Sequence, residues 1–459
     1  MTFQHWLDSL RGRRVAVVGI GVSNTPLIRL LCAAGAQVTA CDKKPRDQYD
    51  DQPLLHELEA AGAALHMGED YLDGLDQDVI FRSPGIRPDH PAFVAAQERG
   101  SRLTSEMEEF FQVCPCRMIA VTGSDGKTTT TTIISRLLAA AGYTVHVGGN
   151  IGHPLLCETG EMRSEDMVVL ELSSFQLMSM RRSPDIAVIT NLSPNHLDWH
   201  RDMEEYVAAK ENIFLWQNGH GKLVLNHDDP TSRALAPKAK GEVVWFARRT
   251  EIDVGVTLEG ESIAVKGVRP VLPLSGILLP GVHNQENYMA AIAAVDGMVP
   301  DEVIRDFART FGGVEHRIEL VRTLNGVRYY NDSIASSPTR TMAGLRSFPE
   351  KVILIAGGYD KHLDYTPLGP EILGHVKALV LTGATAPKIR AAVEQAEGYD
   401  PSALPMVEVE DFARAVEQAR DLARPGDVVI LSPASASFDK FKNFMVRGNT
   451  FKTLVNALE

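Results

Sequence analysis

Met118-Ile119-Ala120-Val121-Thr122-Gly123-Ser124-Asp125-Gly126-Lys127-Thr128-Thr129 is an apolar run that breaks into a glycine-rich turn and then into a Thr- and Leu-rich helical stretch. An unbroken apolar run before such a turn reads as a strand buried on both faces, as in a parallel sheet. Glycines let the loop wrap a phosphate chain with its N–H groups. Lys127 supplies charge to the terminal phosphates, and the Thr128 hydroxyl suits Mg²⁺. The full G-x₄-G-K-[ST] pattern would put glycine at 121, where this chain has Val121, so the loop is a shortened form.

On both sides of this loop, strand-like runs alternate with helical patterns, the mark of α/β layers around mostly parallel sheets. Upstream, 14–19 reads as a buried strand, Gly19-Ile20-Gly21 as a tight turn, 26–34 as a helix, and 37–42 and 79–82 as further strands. Downstream, 167–171 and 186–190 read as strands, and 220–280 holds shorter strand-like pieces. Leu279-Pro280-Gly281 precedes a helix expected to start near Asn284. Phe311-Gly312-Gly313 opens a third block with strands at 352–356, 378–381 and 428–431, and its glycine pair reads as a hinge. A length of 459 residues suggests about three domains. The pattern places domain boundaries near 104 and 313, giving blocks 1–104, 105–313 and 314–459.

Lys plus Arg number 46 against 59 Asp plus Glu, a net charge of −13. That balance disfavours sequence-blind nucleic-acid binding, which needs a positive footprint, yet leaves room for a local phosphate site. With 44% apolar and 23% charged residues the chain is neither disordered nor collagenous. No apolar run reaches the ~18 residues of a bilayer span, and the N-terminus lacks a signal-peptide pattern. The five cysteines are scattered, and Cys114-Pro115-Cys116 is neither a zinc nor a redox spacing. These features predict reduced thiols and a cytoplasmic protein, with neither nucleic acid nor membrane as partner.

Glu171, closing the 167–171 strand, is a candidate Mg²⁺ ligand, since a carboxylate at that strand end lies beside the P-loop; alone it also reads as a helix cap. His196 and His200 stand four apart, a spacing that suits zinc, but no HExxH pattern accompanies them and phosphate transfer favours Mg²⁺. Read singly, Lys210 is a solvated helix lysine, Asp332 a turn residue and Lys361 a surface lysine. Gly19-Ile20-Gly21-Val22-Ser23-Asn24 has the form of a dinucleotide fingerprint, with Asn24 where the third glycine lets helix and strand approach. N–H groups opening the helix could still bind phosphate, and Asp42 could accept from a ribose or a base. Any tight βα turn looks similar, so a nucleotide-type ligand and a plain turn both stay open.

Taken together, these segments resemble the Mur ligase family of peptidoglycan synthesis across the whole chain. The resemblance runs through Ser83-Pro84-Gly85-Ile86, the 122–128 loop, Gly148-Gly149-Asn150-Ile151-Gly152 and Glu171-Leu172-Ser173-Ser174-Phe175-Gln176-Leu177. It continues through His196, Lys210, His283-Asn284, His316-Arg317, Asn331-Asp332-Ser333, Gly357-Gly358, the 431–437 segment and Phe441-Lys442-Asn443-Phe444. It implies a Rossmann-like domain over 1–104 that binds a UDP-substrate, a P-loop ATPase-like domain over 105–313 that binds ATP, and a Rossmann-like domain over 314–459 that closes over both with the amino acid. It further implies that Ser23, Asp42, Lys43, Gly85 and Asn150 contact the UDP-substrate. Thr122, Gly123, Ser124, Asp125, Gly126, Lys127, Thr128 and Thr129, with Asn284, Arg317 and Asp332, would hold ATP. Lys127, Glu171, His196 and Lys210 would be catalytic, with two Mg²⁺ ions on Thr128, Glu171, His196 and a CO₂-derived carbamate of Lys210. Ser336, Lys361, Ser437 and Phe444 match positions that hold the incoming amino acid.

The implied reaction is ATP-dependent amide formation through an acyl phosphate, joining D-glutamate to UDP-N-acetylmuramoyl-L-alanine on a monomeric enzyme. A carbamate turns a lysine cation into an anion with two oxygens, the ligands that hard Mg²⁺ prefers. One departure stands out: Ile334 occupies a position where better-known members carry Lys, leaving Lys361 or Arg340 to supply the charge. The alternatives are a sister ligase adding L-glutamate or another amino acid, and a nucleotide-binding relative without catalysis. Intact Lys127, Glu171, His196 and Lys210 argue against the latter. A nicotinamide-dependent oxidoreductase built on 19–24 would leave the 122–128 loop unexplained.

Overall fold

The computed structural model describes residues 1–459 apart from Val22, Asp50, Asp198 and His362; Val22 and Asp198 belong to motifs named above and lie outside the described residues. The chain divides into two compact units, Met1–Leu274 with Glu286–Phe307, and Ser275–Gln285 with Ala308–Glu459.

The first unit carries two sheets. One is built from β1 (Arg14–Val18), β2 (Gln37–Asp42), β3 (Ala64–Met67), β4 (Val79–Phe81) and β5 (Arg102–Thr104). Its order is 3-2-1-4-5 with every pair parallel, so the order reverses between β1 and β4, where such sheets open a crevice at their carboxyl ends. Val15 to Val18 are all buried, as an unbroken apolar run demands. The helix after β1 spans Asn24–Ala33 and takes Pro26 into its first turn, where a missing N–H costs nothing.

The second sheet takes β6 (Arg117–Thr122), β7 (Val145–Gly149), β8 (Met167–Glu171), β9 (Ile186–Ile189), β10 (Lys222–Asn226), β11 (Glu242–Ala247), β12 (Val256–Glu259), β13 (Ser262–Val265) and β14 (Arg269–Pro273). Their order is 14-13-12-11-10-9-6-8-7. The pairs from β7 across to β12 are parallel, and β12–β13–β14 add an antiparallel edge. The helix Glu106–Val113 links the two sheets, capped by Ser105. Trp6 Nε1 donates to Glu109 Oε2 on it at 2.5 Å, and Glu106 Oε1 accepts from Leu156 N at 3.0 Å. Buried Arg82, just past β4, donates to Phe175 O at 3.2 Å and Ser179 Oγ at 2.7 Å, tying the first sheet to the second.

The second unit holds β15 (Glu319–Leu324), β16 (Val327–Asn331), β17 (Val352–Ala356), β18 (Val376–Leu381), β19 (Met406–Glu408) and β20 (Val428–Leu431), in the order 15-16-20-17-18-19. β15–β16 is an antiparallel hairpin and the rest are parallel. β17 and β20 are buried throughout, sandwiched between helices such as Leu368–His375 and Phe412–Leu422. The α/β class expected from the sequence is the observed one. The helix expected near Asn284 starts at Val282.

Among these buried groups Glu106 gives a stability prediction. Burial pushes its carboxyl from an ordinary 4.5 up to about 7, against the favourable bond from Leu156 N. The folded chain therefore takes up a proton relative to the unfolded one between about pH 4.5 and 7, and stability falls as pH rises through that window. Glu106→Gln keeps an acceptor for Leu156 N and removes the charge. It should gain roughly 3 kcal/mol in urea unfolding at pH 8 and almost nothing at pH 4; parallel profiles for the two proteins would contradict this.

Candidate active site

β6 ends at Thr122, and the helix Lys127–Ala140 starts at Lys127. Between them the backbone passes Gly123 at φ +149° and Gly126 at φ +77°. A Cβ on Gly123 would fall 1.9 Å from Thr190 Oγ1, and one on Gly126 2.3 Å from Asn287 Oδ1, so both positions need glycine. The loop is fastened to the end of β9: Ser124 N donates to Asn191 O at 2.9 Å. Asp125 N donates to Asn191 Oδ1 at 3.0 Å, and Thr190 Oγ1 to Asp125 O at 2.6 Å. Lys127 Nζ curls back onto Gly123 O at 3.0 Å and Ser124 O at 2.9 Å. A cation held over a rigid loop, beside helix N–H groups without intrahelical partners, suits a polyphosphate.

Lys210 lies on the helix Met203–Leu215, whose first turn is capped by Asp202. It is 2% exposed. Its Nζ donates to Gly123 O at 2.9 Å and Thr122 Oγ1 at 3.1 Å, above the Tyr206 ring at 4.8 Å. Tyr206 stands one turn earlier on the same helix face, and its hydroxyl meets Ser124 Oγ at 2.9 Å. Burial, then the charge of Lys127, drive the Lys210 pKa well below the usual lysine value, while Glu171 and Asp125 pull the other way. The shift favours a neutral amine. The solvated-lysine reading of this residue is thus overturned, because the helix packs this face onto the strand ends.

Glu171 closes β8 and is 1% exposed. Oε1 accepts from Asn150 Nδ2 at 2.7 Å, whereas Oε2 is buried with no hydrogen-bond partner. A buried carboxylate oxygen without a donor is costly unless a cation meets it, so this residue fits a divalent metal. Asn150 N also donates to Glu171 O at 2.7 Å. Gly149, at φ +94°, permits that approach: a Cβ there would fall 2.2 Å from Glu171 O. His196 adopts φ +54°, and its ring centroid lies 5.0 Å from that of Phe175. His200 points its Nε2 at Ser174 Oγ, 2.9 Å away, instead of completing the zinc pair suggested by spacing. Among the described residues no group of three or more His, Cys, Asp or Glu could hold a metal ion.

At the crevice of the first sheet, Asp42 Oδ2 accepts from Ile20 N at 2.7 Å and Oδ1 from Lys44 N at 2.9 Å. Asn24 is buried, and its Nδ2 donates to Val18 O and Gly19 O at 3.1 and 3.0 Å. It closes the turn with a side-chain amide where a third glycine would allow closer packing. Ser23 precedes the helix without capping it by side chain, and Lys43 is exposed. Gly85, also exposed, offers its carbonyl to Trp199 Nε1 at 3.2 Å.

In the second unit, Asp332 follows β16 and is 4% exposed. Its Oδ2 accepts from Ser432 Oγ at 2.8 Å and its Oδ1 from Ile318 N at 3.3 Å. Burial pushes its carboxyl up to about 7, against the pull of Arg317. Arg317 has its Nε buried without a hydrogen-bond partner. Asn284 is buried and donates to Pro280 O at 2.5 Å. Ser437 is buried, while Ser336 and Phe444 are partly exposed. Lys361 is exposed, with Nζ 5.4 Å from the Phe438 ring centroid.

Several residues escaped the sequence reading. Arg447, buried, donates to Ser333 Oγ and O at 3.0 and 2.8 Å and to Ser435 O and Ala436 O, both at 3.0 Å. It thereby joins the loops that carry Ser336 and Ser437, and burial lowers its pKa to about 10. Thr190, Asn191, Tyr206 and Asn287 shape the loop at 123–126. The i, i+4 spacing of Tyr206 and Lys210 was a usable signal; the others carry none.

Family models match three stretches in order: the Mur ligase MurD-like N-terminal domain over 13–105, the Mur ligase middle domain over 121–295, and the Mur ligase glutamate ligase domain over 316–435. The chain is 52% identical over 456 residues to the UDP-N-acetylmuramoylalanine–D-glutamate ligase of Acetivibrio thermocellus, covering 98% of this chain and 97% of that protein. It is 50% identical over 458 residues to the ligase of the same name from Clostridium novyi, covering 100% and 99%. Among solved structures, UDP-N-acetylmuramate–alanine ligase from Thermotoga maritima superposes with a TM-score of 0.58 at 17% identity, covering 97% and 99%. A UDP-N-acetylmuramoyl-L-alanyl-D-glutamate–2,6-diaminopimelate ligase gives 0.56 at 19%, covering 98% and 93%. These two likenesses speak for the fold.

The turn that carries Asn150 can be tested through Gly149. Gly149→Ala combines a left-handed φ with a Cβ clash against backbone and should cost about 3 kcal/mol or more in chemical unfolding. Gly62, at φ +100° with open space around its Cβ site, is the control; Gly62→Ala should cost about 1 kcal/mol. Equal losses would mean that the approach to Glu171 is loose.

Proposed function

The chain belongs to the Mur ligase family, and we propose that it joins D-glutamate to the L-alanyl carboxylate of UDP-N-acetylmuramoyl-L-alanine, with ATP as the activating nucleotide. The observation that carries this reading is identity of about half, over nearly the whole chain, to ligases of that name, taken with an intact Lys127, Glu171 and Lys210 at the strand ends.

A carboxylate is a poor electrophile, so activation precedes amide formation. The alanyl carboxylate oxygen attacks the γ-phosphorus of ATP, and ADP leaves. The glutamate amine then attacks the acyl carbon, phosphate departs with its oxygen, and the amine loses a proton. Catalysis is mostly positioning and neutralisation of phosphate charge. In this reading the 122–129 loop cradles the phosphates, with Lys127 aimed at the transferred group. Asn284, Arg317 and Asp332 complete the ATP contacts. Thr128, Glu171, His196 and Lys210 would hold Mg²⁺, which would neutralise the phosphate oxygens and the acceptor carboxylate. The unpartnered Glu171 Oε2 supports this. Lys210 would serve as a carbamate: its depressed pKa leaves a lone pair to add to CO₂, with loss of a proton, and yields the oxygens a hard cation needs.

Ser23, Asp42, Lys43, Gly85 and Asn150 are our candidates for the UDP-substrate, and Ser336, Lys361, Ser437 and Phe444 for glutamate. Lys361 is the one cation of that last set, and with Ile334 apolar either it or Arg340 would meet the side-chain carboxylate. The division at residues 104 and 313, a monomeric enzyme and a cytoplasmic location go with this reading. No helix among the described residues is long and apolar enough to cross a membrane.

Initial rates of phosphate release with D-glutamate, L-glutamate and L-lysine under one set of conditions test the assignment. D-glutamate should lead by orders of magnitude; a faster L-glutamate would keep the ligase chemistry and reject the assigned substrate. Lys127→Ala should lower turnover by two to three orders of magnitude, roughly the worth of a preorganised charge on a developing oxyanion, with the unfolding midpoint unchanged. Lys210→Ala should lose most activity and regain part of it in concentrated acetate, whose carboxylate would fill the place of the carbamate oxygens. A variant indifferent to acetate, together with full wild-type activity after CO₂ removal, would return Lys210 to the role of an ordinary lysine.

A further inference from the structure

We infer that His200 is a positioning residue that locks the His196 turn onto the segment leaving Glu171; the inference rests on the ligase reading, in which both residues face the metal. His196 is a non-glycine residue at φ +54°, a conformation that costs roughly 1–2 kcal/mol and persists only where its surroundings impose it. Two backbone bonds fold the chain back on His196 O: from Trp199 N at 3.1 Å and from His200 N at 3.0 Å. They close the turn.

Trp199 ties the turn to Gly85 O at 3.2 Å and to Arg87 at 3.0 Å, and His200 ties it to the segment leaving Glu171. The His200 side chain is fully buried, and Nε2 meets Ser174 Oγ at 2.9 Å. Its ring stacks on Phe175 at 5.8 Å and 16°, and takes the Tyr206 ring edgewise at 5.3 Å and 74°. Phe175 in turn contacts His196 at 5.0 Å and Trp199 at 4.5 Å. Ser174 and Phe175 open the short helix Ser174–Leu177, which starts three residues after Glu171 and is fixed by a reciprocal Ser173–Gln176 cap. One histidine thus fastens the His196 turn to the chain that carries Glu171, and touches Tyr206, whose hydroxyl reaches Ser124 of the phosphate loop. Nδ1 faces Glu205 Oε2 at 3.5 Å, a longer contact than the one to Ser174 and one made to the helix Met203–Leu215, not to the segment leaving Glu171. The i, i+4 pairing of His196 with His200 therefore encodes one site residue and the clamp that orients it. Outer partners of this kind typically set metal affinity by about 10- to 100-fold.

The test uses the full chain with a non-hydrolysable ATP analogue, UDP-N-acetylmuramoyl-L-alanine and Mn²⁺ as a paramagnetic probe, followed by electron paramagnetic resonance. His200→Phe keeps the stack and deletes the polar contact; Ser174→Ala deletes the partner; His200→Gln restores a polar atom near the Nε2 position. Each of the first two should weaken Mn²⁺ about tenfold and raise the half-saturating Mg²⁺ for turnover in parallel. The double variant should be no weaker than the worse single one, since both remove the same contact, and His200→Gln should recover most of the loss. Unaltered Mn²⁺ affinity in a folded Ser174→Ala protein, or losses that multiply in the double variant, would overturn the inference. If His200→Phe does not fold, Ser174→Ala and His200→Gln decide alone. Failure of the wild-type chain to release phosphate with D-glutamate would instead strike the ligase reading itself.

Discussion

The rest of the site depends on taking the Lys210 ammonium out of water. A buried lysine without a carboxylate partner is a heavy cost if charged, and the protein meets it by shifting the group toward its neutral form. The amine rests on Gly123 O and Thr122 Oγ1, two groups of the phosphate loop. A second lysine, Lys127, repels it from the same loop. Both lysines gather where the C-terminal ends of β6, β8 and β9 converge, and both donate to carbonyls of the phosphate loop. In the proposed reading such a site would take anions: a polyphosphate over Lys127, and a carbamate in place of the Lys210 amine.

That convergence is a consequence of sheet topology. Each sheet brings such residues to the carboxyl ends of neighbouring parallel strands: Gly19 and Ser83 after β1 and β4 in the first, Thr122, Glu171 and Thr190 at the ends of β6, β8 and β9 in the second, Asp332 and Ser432 after β16 and β20 in the third. Backbone must come very close there. Gly149 lets the β7 turn reach Glu171, and Gly123 lets the loop reach Thr190. Asn24 solves the same problem in the first sheet by hydrogen bonding rather than by absence of a side chain. The helix that follows β1 is thereby held at its turn without a third glycine.

What could be read in advance follows from the same physics. β1, β6, β8, β17 and β20 were legible because parallel strands covered on both faces must be continuous apolar runs. β7, Val145-His146-Val147-Gly148-Gly149, was not, because an edge strand is half exposed and carries polar residues and glycine. The phosphate loop was legible because its chemistry is local in sequence. The burial of Lys210, the unpartnered oxygen of Glu171 and the grip of Arg447 on two loops of the second unit were not, since each depends on segments brought together from far apart. His196 and His200 show the intermediate case: their spacing signalled a site, but only the contact with Ser174 separates a site residue from its clamp.

We propose that Lys210, a buried amine whose pKa is driven down by burial and by Lys127, takes up CO₂ as a carbamate. Carbon-13 NMR of the protein equilibrated with ¹³C-bicarbonate near neutral pH tests it most directly. A carbamate resonance should be present in the wild-type chain, persist in Lys361→Ala and vanish in Lys210→Ala. A spectrum with no resonance that depends on Lys210 would contradict it.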